Sequence, residues 1–300
     1  MTTALTPKDL PPPPPGKSGW PWTQQSRPLP ERMPDGSKWP RLSIVTPSYN
    51  QSQFIEETIR SVLLQGYPNL EYIIIDGGST DDSREIIKKY EQFLAYWVSE
   101  KDRGQAHAVN KGILKSTGDI LGWINSDDLY LKDTFRQIVR AFQRYPATIF
   151  VHGDRILLNK DSQVTGWSVL PPFNPSRYGY VICSESSFWR RYAMNLVGLL
   201  NEDLQFAMDL EFFCRLFTVG KFTKLNQFLG AFRCYPENKT STLQDICAIE
   251  SQREWKKIFG QNSQTLAIQP KIPMIRHITT PFVHFSMIGI PYFRKKFLSK

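Results

Sequence analysis

"GDILGWINSDDLYL", residues 118–131, sets an apolar run directly against Asn125, Ser126, Asp127 and Asp128. Ile120 to Ile124 has the length and composition of a buried strand, and the four polar residues begin where that strand must end. Adjacent carboxylates at the mouth of a core element have two readings. They can turn the chain and cap the helix expected from about Lys132 to Tyr145, because Asp and Asn favour such positions. They can also offer hard oxygen ligands to Mg²⁺ or Mn²⁺ shared with a substrate's phosphates.

The neighbouring sequence repeats the pattern. "LSIVT" (42–46), "EYIIID" (71–76), "AYWVS" (95–99) and "TIFVHGD" (148–154) are further apolar runs. Between them Phe54, Ile55, Thr58, Ile59, Val62 and Leu63 recur at helical spacing, as do "REIIKKYEQFL" (84–94) and "QAHAVNKGILKS" (105–116). Continuous apolar strands alternating with amphipathic helices predict an α/β fold, a mainly parallel sheet covered on both faces. Such sheets bind ligands at the carboxyl ends of their strands. The chemistry-bearing residues collect there: Thr46, Ser48, Tyr49 and Asn50 after the first strand, Asp76, Gly77 and Gly78 after the second, Glu100, Asp102 and Arg103 after the third, and the Asn125–Asp128 run after the fourth. A phosphate-bearing ligand accounts for glycines, hydroxyls and carboxylates in one rim. The P-loop pattern is absent, however, and "DGGSTDDS" (76–83) is not GxGxxG.

Composition narrows the class. With 41% hydrophobic and 13% aromatic residues the chain can bury a large core. Cysteines 183, 214, 234 and 247 form no CxxC pair, and the start of the chain lacks a charged-then-apolar leader, so a reducing cytoplasm is the expected location. Zinc chemistry is disfavoured by four scattered histidines with no HExxH spacing. The net charge of +9 would suggest nucleic acid, but eight lysines and arginines follow Glu254 with no acid among them. The excess therefore belongs to the tail, and no nucleic-acid-binding motif is present. Within that tail "ITTPFVHFSMIGIPYFRKK" (278–296) is apolar but broken by Pro281, His284 and Pro291, whereas a spanning helix needs roughly 20 apolar residues. It reads either as a contact with an anionic membrane surface, peripheral on the inner face of the plasma membrane, or as a solvated basic terminus beside a core segment. Residues 1–40, with "PPPPP" at 11–15, predict a proline-rich, partly disordered segment that Trp20, Trp22 and Trp39 can clip to the domain.

The ordered motifs "SIVTPSYNQSQFIEETIRSVLLQGYPNLEYIIIDGGSTDDS", "SEKDRGQAHAVNKG", "TGDILGWINSDD" and "AMDLEFFCRL" resemble the family 2 glycosyltransferases, over about residues 41 to 235. The resemblance implies an inverting enzyme of the GT-A fold, active in cell-surface polysaccharide synthesis, with a nucleotide-sugar donor and a glycan or lipid-linked acceptor. It divides the chain into the segment 1–40, a glycosyltransferase domain 41–240, and a mostly helical, basic extension 241–300.

By that resemblance "NSD" stands at the family's DxD position, with Asp127 the metal-contacting carboxylate and Asn125 a neutral replacement for the first acid. Donor binding is carried over to Thr46, Pro47, Tyr49, Asn50, Asp76, Arg103, Gly104, Gln105, Lys111, Asn125, Ser126 and Asp127, with Asn110 beside them. Asp209 matches the general base that an inverting transfer requires. Glu185, Ser186 and Trp189 of "CSESSFWRR" match an acceptor-side segment, Trp189 packing or stacking on a sugar. Tyr235 stands where relatives often carry His, and Arg233 and Lys239 follow as candidates to neutralise phosphate. Two other readings remain open: a nucleotidyltransferase, which would release pyrophosphate, and a nucleotide-sugar or glycan-binding protein that has lost turnover.

Overall fold

The computed structural model describes residues 4–173 and 182–260. The apolar runs form strands β1 (Leu42–Ser48), β2 (Leu70–Asp76), β3 (Tyr96–Ser99) and β4 (Ile120–Trp123). They alternate with α1 (Ile55–Leu63), α2 (Ser83–Lys89) and α3 (Gln105–Lys115), and β5 (Leu129–Tyr130), α4 (Thr134–Arg144), β6 (Thr148–Leu158) and β7 (Val164–Ser168) follow. The second half adds β8 (Ser187–Arg190), α5 (Arg191–Val197), α6 (Met208–Val219), β9 (Lys221–Arg233), α7 (Lys239–Thr242) and α8 (Gln244–Phe259).

The strands join in one sheet of order β3-β2-β1-β4-β8-β6-β9-β5, with β7 beside β6. The β3-β2-β1-β4 half is parallel throughout, as expected from its apolar runs. Beyond it β8 is antiparallel to both β4 and β6, and only β6 with β9 is again parallel. The sheet as a whole is thus mixed. Alternation along β1 shows both faces covered. Ile44 joins a core with Ile59 of α1 and Phe135 of α4, while Val45 joins one with Val109 of α3 and Phe213 of α6.

The strand order reverses at β1, which lies between β2 and β4 although β2 follows it in sequence. At such a switch point the loops leaving neighbouring strands diverge and open a crevice above their carboxyl ends. The loops carrying Tyr49 and Asn50 on one side, and Asn125 to Asp128 on the other, leave from those two ends.

The proline-rich start packs on the domain through the tryptophans of its sequence, Trp20, Trp22 and Trp39. Residues 4–40 form no helix or named strand, yet Leu10, Trp20, Trp22, Leu29 and Trp39 are buried. A proline contributes a carbonyl but no N–H, so packing such a segment demands donors from elsewhere. Arg60, itself fully buried in α1, supplies them to the carbonyls of Pro11 (2.8 Å), Pro21 (3.2 Å) and Trp22 (2.7 Å). The Trp20 indole donates to the Tyr130 carbonyl at 2.9 Å. Among the described residues no helix is long and apolar enough to cross a membrane. The apolar, basic stretch 278–296 lies outside the described residues; of the extension 241–300, the described part is helical in α7 and α8.

Candidate functional site

Asn50 leaves β1 with φ of 52°, a left-handed conformation that Asn tolerates better than most residues. Its Oδ1 accepts from the Thr80 N–H at 2.9 Å and its own N–H donates to the Ser79 hydroxyl at 2.8 Å. The two strand exits are therefore sewn together. Asp76 does the rest: its Oδ2 accepts from the N–H groups of Gly78 (3.2 Å) and Ser79 (2.9 Å) and from the Ser99 hydroxyl (2.6 Å), and its Oδ1 from the Ser79 hydroxyl. With no exposed surface, the Asp76 carboxylate fastens this turn and has no open face for a base or ribose. Thr46 is likewise fully buried against the Tyr72 hydroxyl at 3.0 Å, and Pro47 is buried beside it. Side-chain contact with a ligand, expected of Thr46 and Asp76, is closed because both belong to the packed strand ends. Tyr49, 60% exposed, stands free at the rim.

After β3 the Asp102 carboxylate accepts from the Gly104 N–H at 2.9 Å, and Gly104 takes φ of 116°, which needs a glycine. The chain then enters α3 with Gln105 pointing to the Asn125 run. Arg103 pairs with Glu202, and Lys111 with Glu100. Asn110 is buried and bonds the Leu200 backbone, a packing role and not the place beside the donor expected of it.

At the end of β4 the four polar residues separate. Ser126 is buried, its carbonyl accepting from the Thr58 hydroxyl at 2.9 Å. Asp128 is 1% exposed and accepts from the Arg233 N–H (3.0 Å) and the Asn125 amide (3.3 Å). Burial, then the charges of Asp127 and Glu185, drive its carboxyl well above the usual range. Asp127 is half-buried and accepts from the Tyr235 hydroxyl at 2.7 Å. Burial raises its carboxyl too, against the opposing pull of Tyr235 and Arg233. The carboxylate open to a ligand is thus Asp127.

Behind Asp127 the fully buried Arg233 donates to the Asp127 carbonyl (2.8 Å), the Ser162 hydroxyl (2.8 Å) and the Glu57 carboxylate (3.0 Å). These bonds make it a structural strut and remove it from the candidates for phosphate binding. Asn238 bonds the Arg233 carbonyl at 2.9 Å and caps the Ser241 N–H at 2.8 Å, fixing the bend that presents Tyr235 and Lys239. The Lys239 ammonium donates to Gln105 Oε1 at 3.0 Å, and Gln105 Nε2 donates to Asn125 Oδ1 at 2.6 Å.

Asp209 occupies the first turn of α6, half-buried, its Oδ1 accepting from the Leu210 N–H at 2.8 Å. Its charge is felt at Lys239, Cys183 and Cys247. The approach to α6 is held by a residue that sequence reasoning missed. Glu250 of α8 accepts from the N–H groups of Gln205 (2.9 Å), Phe206 (2.8 Å) and Ala207 (3.0 Å). Within an amphipathic helix a glutamate gives no signal that its partners are backbone groups of another element.

The acceptor-side expectation is corrected. Trp189 has no exposed surface: β8 inserts it between β4 and β6, with ring centroids 5.3 Å from Phe212 and 5.5 Å from Trp123. Glu185 is 2% exposed and ion-paired with Arg155 at 3.1 Å, and Ser186 is fully buried against the Gly153 carbonyl. All three support the floor of the sheet and none faces a free surface.

Among the described residues no group of three or more His, Cys, Asp or Glu is arranged to hold a metal. Asn125 Oδ1 is already engaged by Gln105, and Asp128 is enclosed. A lone half-buried carboxylate does suit an ion that keeps water and substrate phosphates as its other ligands, the way Mg²⁺ is commonly held. Asp127 fits a metal in that shared sense.

The chain is 39% identical over 97 residues to the putative teichuronic acid biosynthesis glycosyltransferase TuaG of Bacillus subtilis, covering 31% of this chain and 38% of TuaG. It is 26% identical over 212 residues to the chondroitin synthase of Escherichia coli, covering 69% of this chain and 31% of that protein. The chain thus spans about a third of the length of each. Among solved structures, the mannosyltransferase PcManGT from Pyrobaculum calidifontis in complex with GDP-Man and Mn²⁺ superimposes with a TM-score of 0.57 at 21% identity, covering 73% of this chain and 64% of that one. The fold is shared with GT-A glycosyltransferases. Residues 43–202, more than half of the chain, match the sequence model of glycosyl transferase family 2, and the chain belongs to that family.

Proposed function

We propose that this chain transfers a glycosyl group, with inversion, from a nucleoside-diphosphate sugar to a hydroxyl of a glycan or lipid-linked acceptor in cell-surface polysaccharide synthesis. One observation carries the reading. Lys239 bonds to Gln105, Gln105 bonds to Asn125 beside Asp127, and the charge of Asp209 acts on the same lysine, so one side chain links the strand-end carboxylate to the helix-start carboxylate.

In this reaction the acceptor hydroxyl oxygen attacks the anomeric carbon as Asp209 takes its proton. The bond from that carbon to the donor's phosphate oxygen breaks, and its electron pair leaves on the nucleoside diphosphate. A single displacement inverts the anomeric centre. Asp127, together with the donor phosphates, would hold a divalent ion, which when bound neutralises charge on the departing diphosphate. Tyr49 is the exposed residue of this turn left to meet the nucleoside, since Thr46 and Asp76 are enclosed.

Incubation with a panel of nucleotide sugars and either Mg²⁺ or Mn²⁺ tests the reading by product. Release of nucleoside diphosphate supports it; release of pyrophosphate would assign a nucleotidyltransferase instead. The basic tail after Glu254 supports contact with an anionic membrane surface at the cytoplasmic face. Salt-sensitive cosedimentation with anionic but not zwitterionic vesicles is the expected result, and equal partition to both would contradict it.

A further inference from the structure

The backbone carbonyls around the Asp127 carboxylate are all engaged, and their bonds converge on one helix. The buried Thr58 hydroxyl of α1 shares its hydrogen between the carbonyls of Ser126 (2.9 Å) and Asp128 (2.7 Å), the residues on either side of Asp127. The Asp127 carbonyl accepts from Arg233, whose guanidinium is held at 3.0 Å by Glu57, the residue before Thr58. Ser61, a turn further along α1, accepts from the Tyr130 N–H at 3.2 Å. Backbone before and after Asp127 is therefore tied to α1, and with it the direction in which the carboxylate points.

What seats α1 lies before the region, residues 43–202, that matches the family. Arg60 is fully buried, and among the described residues its bonds go to neutral oxygens: the Tyr90 hydroxyl at 3.0 Å and the carbonyls of Pro11, Pro21 and Trp22. A buried cation is tolerated only when its donors are satisfied, and the segment 4–40 supplies three of these four acceptors. The same segment reaches the far side of the Asp127 loop. Its Trp20 indole donates to the Tyr130 carbonyl at 2.9 Å, and its Ser26 hydroxyl accepts from the Asp133 N–H at 2.8 Å. Tyr130 is thus gripped by α1 through its N–H and by Trp20 through its carbonyl.

We infer that Thr58 is a positioning residue for the Asp127 carboxylate, and that residues 4–40, seated through Arg60 and Trp20, brace the donor site and are not an appendage to it. This rests on the metal-sharing role proposed for Asp127 and names what fixes that carboxylate in place. A lone carboxylate that shares an ion with substrate phosphates has no protein ligand beside it to correct its aim, so its backbone must be held to within about 0.5 Å of the productive position. Bonds that orient a ligating carboxylate govern metal affinity by about 10–100-fold.

The test reads the loop and the ion separately, on the full chain. Backbone hydrogen exchange without ligand, followed by mass spectrometry, reads residues 124–131; the gain in UDP or GDP affinity between EDTA and Mn²⁺, by calorimetry, reads the ion. Thr58→Val keeps the side chain's outline and removes its hydrogen bonds. It should speed exchange in 124–131 by about tenfold and cut the Mn²⁺ gain by about tenfold or more, and Thr58→Ser, which keeps the hydroxyl, should restore both. Trp20→Phe, which keeps a ring but loses the bond to Tyr130, should shift both in the same direction. Trp39→Phe is the control: Trp39 donates to the Pro30 carbonyl at 2.8 Å within the segment itself, so this variant should lower the unfolding temperature and leave the Mn²⁺ gain unchanged. Wild-type exchange and Mn²⁺ gain in Thr58→Val would overturn its positioning role. Equal loss of the gain in Trp20→Phe and Trp39→Phe would overturn the role given to residues 4–40, leaving them a general contribution to stability. A wild type that binds neither nucleotide, or binds them equally in EDTA and Mn²⁺, would overturn the reading of Asp127 itself and this inference with it, and the exchange data tell that result apart from failure of the brace.

Discussion

The Tyr235 hydroxyl donates a 2.7 Å hydrogen bond to Asp127 Oδ2, the carboxylate left open at the end of β4. Phe54, with its ring centroid 5.1 Å away, and the Gln51 amide, 3.3 Å from the hydroxyl, hold the phenol in place. A hydrogen bond of this kind orients a metal-binding carboxylate and stabilises its charged form, and removing one typically costs 10–100-fold in metal affinity, an order-of-magnitude guide. Tyr235→Phe should therefore weaken Mn²⁺ binding by about tenfold or more. Because the lost donor lowers the Asp127 carboxyl, the variant's carboxyl must rise further, and its Mn²⁺ binding should need a higher pH. Mn²⁺ titrations across pH would show both effects. An unchanged affinity and pH midpoint would remove Tyr235 from this role.

Glu250 provides a second, structural prediction. Its three backbone bonds outweigh burial and hold its carboxyl below the usual range. A carboxyl lowered on folding contributes stability that is present above its unfolded value and is lost as pH falls through the folded one. Glu250→Gln should cost about 1.5–3 kcal/mol near neutral pH, the range for bonds to a charged group. The gap to wild type should close below about pH 4, where the unfolded-state glutamate protonates. Urea unfolding at several pH values checks this, and a gap that persisted or widened in acid would contradict it. Since Glu250 fixes the approach to Asp209, the variant should also lower turnover more than donor affinity.

Trp189 separates packing from recognition. Enclosed by Trp123, Phe150, Phe212 and Phe213, it should cost about 3–5 kcal/mol when truncated to alanine. Chemical denaturation measures that cost. A variant of wild-type stability with a raised acceptor KM would restore the sugar-stacking role.

These cases show what the sequence could and could not carry. The parallel half of the sheet was legible because β1, β2 and β4 are buried on both faces and so read as continuous apolar runs. The polar rim followed from the same pattern, and Asn50, Gln105, Asn125 and Asp127 do lie at strand or helix ends with half-exposed or exposed side chains. Burial of individual rim residues was not legible, because an aspartate that fastens a turn and one that meets a ligand look alike in a sequence. Asp76 and Asp127 differ only in what surrounds them. Trp189 was ambiguous for the same reason, since an aromatic residue suits a core and a sugar face equally. For residues 4–40 the three tryptophans announced the packing but not its partners: the bonds run from Trp20 to Tyr130 and from Arg60 to Pro11, and proline-rich sequence has no periodicity to reveal them.

The account stands or falls on Asp209 as the base of a single displacement. The most direct measurement is nucleoside diphosphate release from the active nucleotide sugar in the presence of acceptor, compared between wild type and Asp209→Asn, alongside calorimetric titration of the donor. The account predicts that release falls by at least about a hundredfold, the lower range for positioned general-base catalysis, while donor affinity stays within a few-fold. Release at the wild-type rate from Asp209→Asn, with the donor still bound, would contradict it.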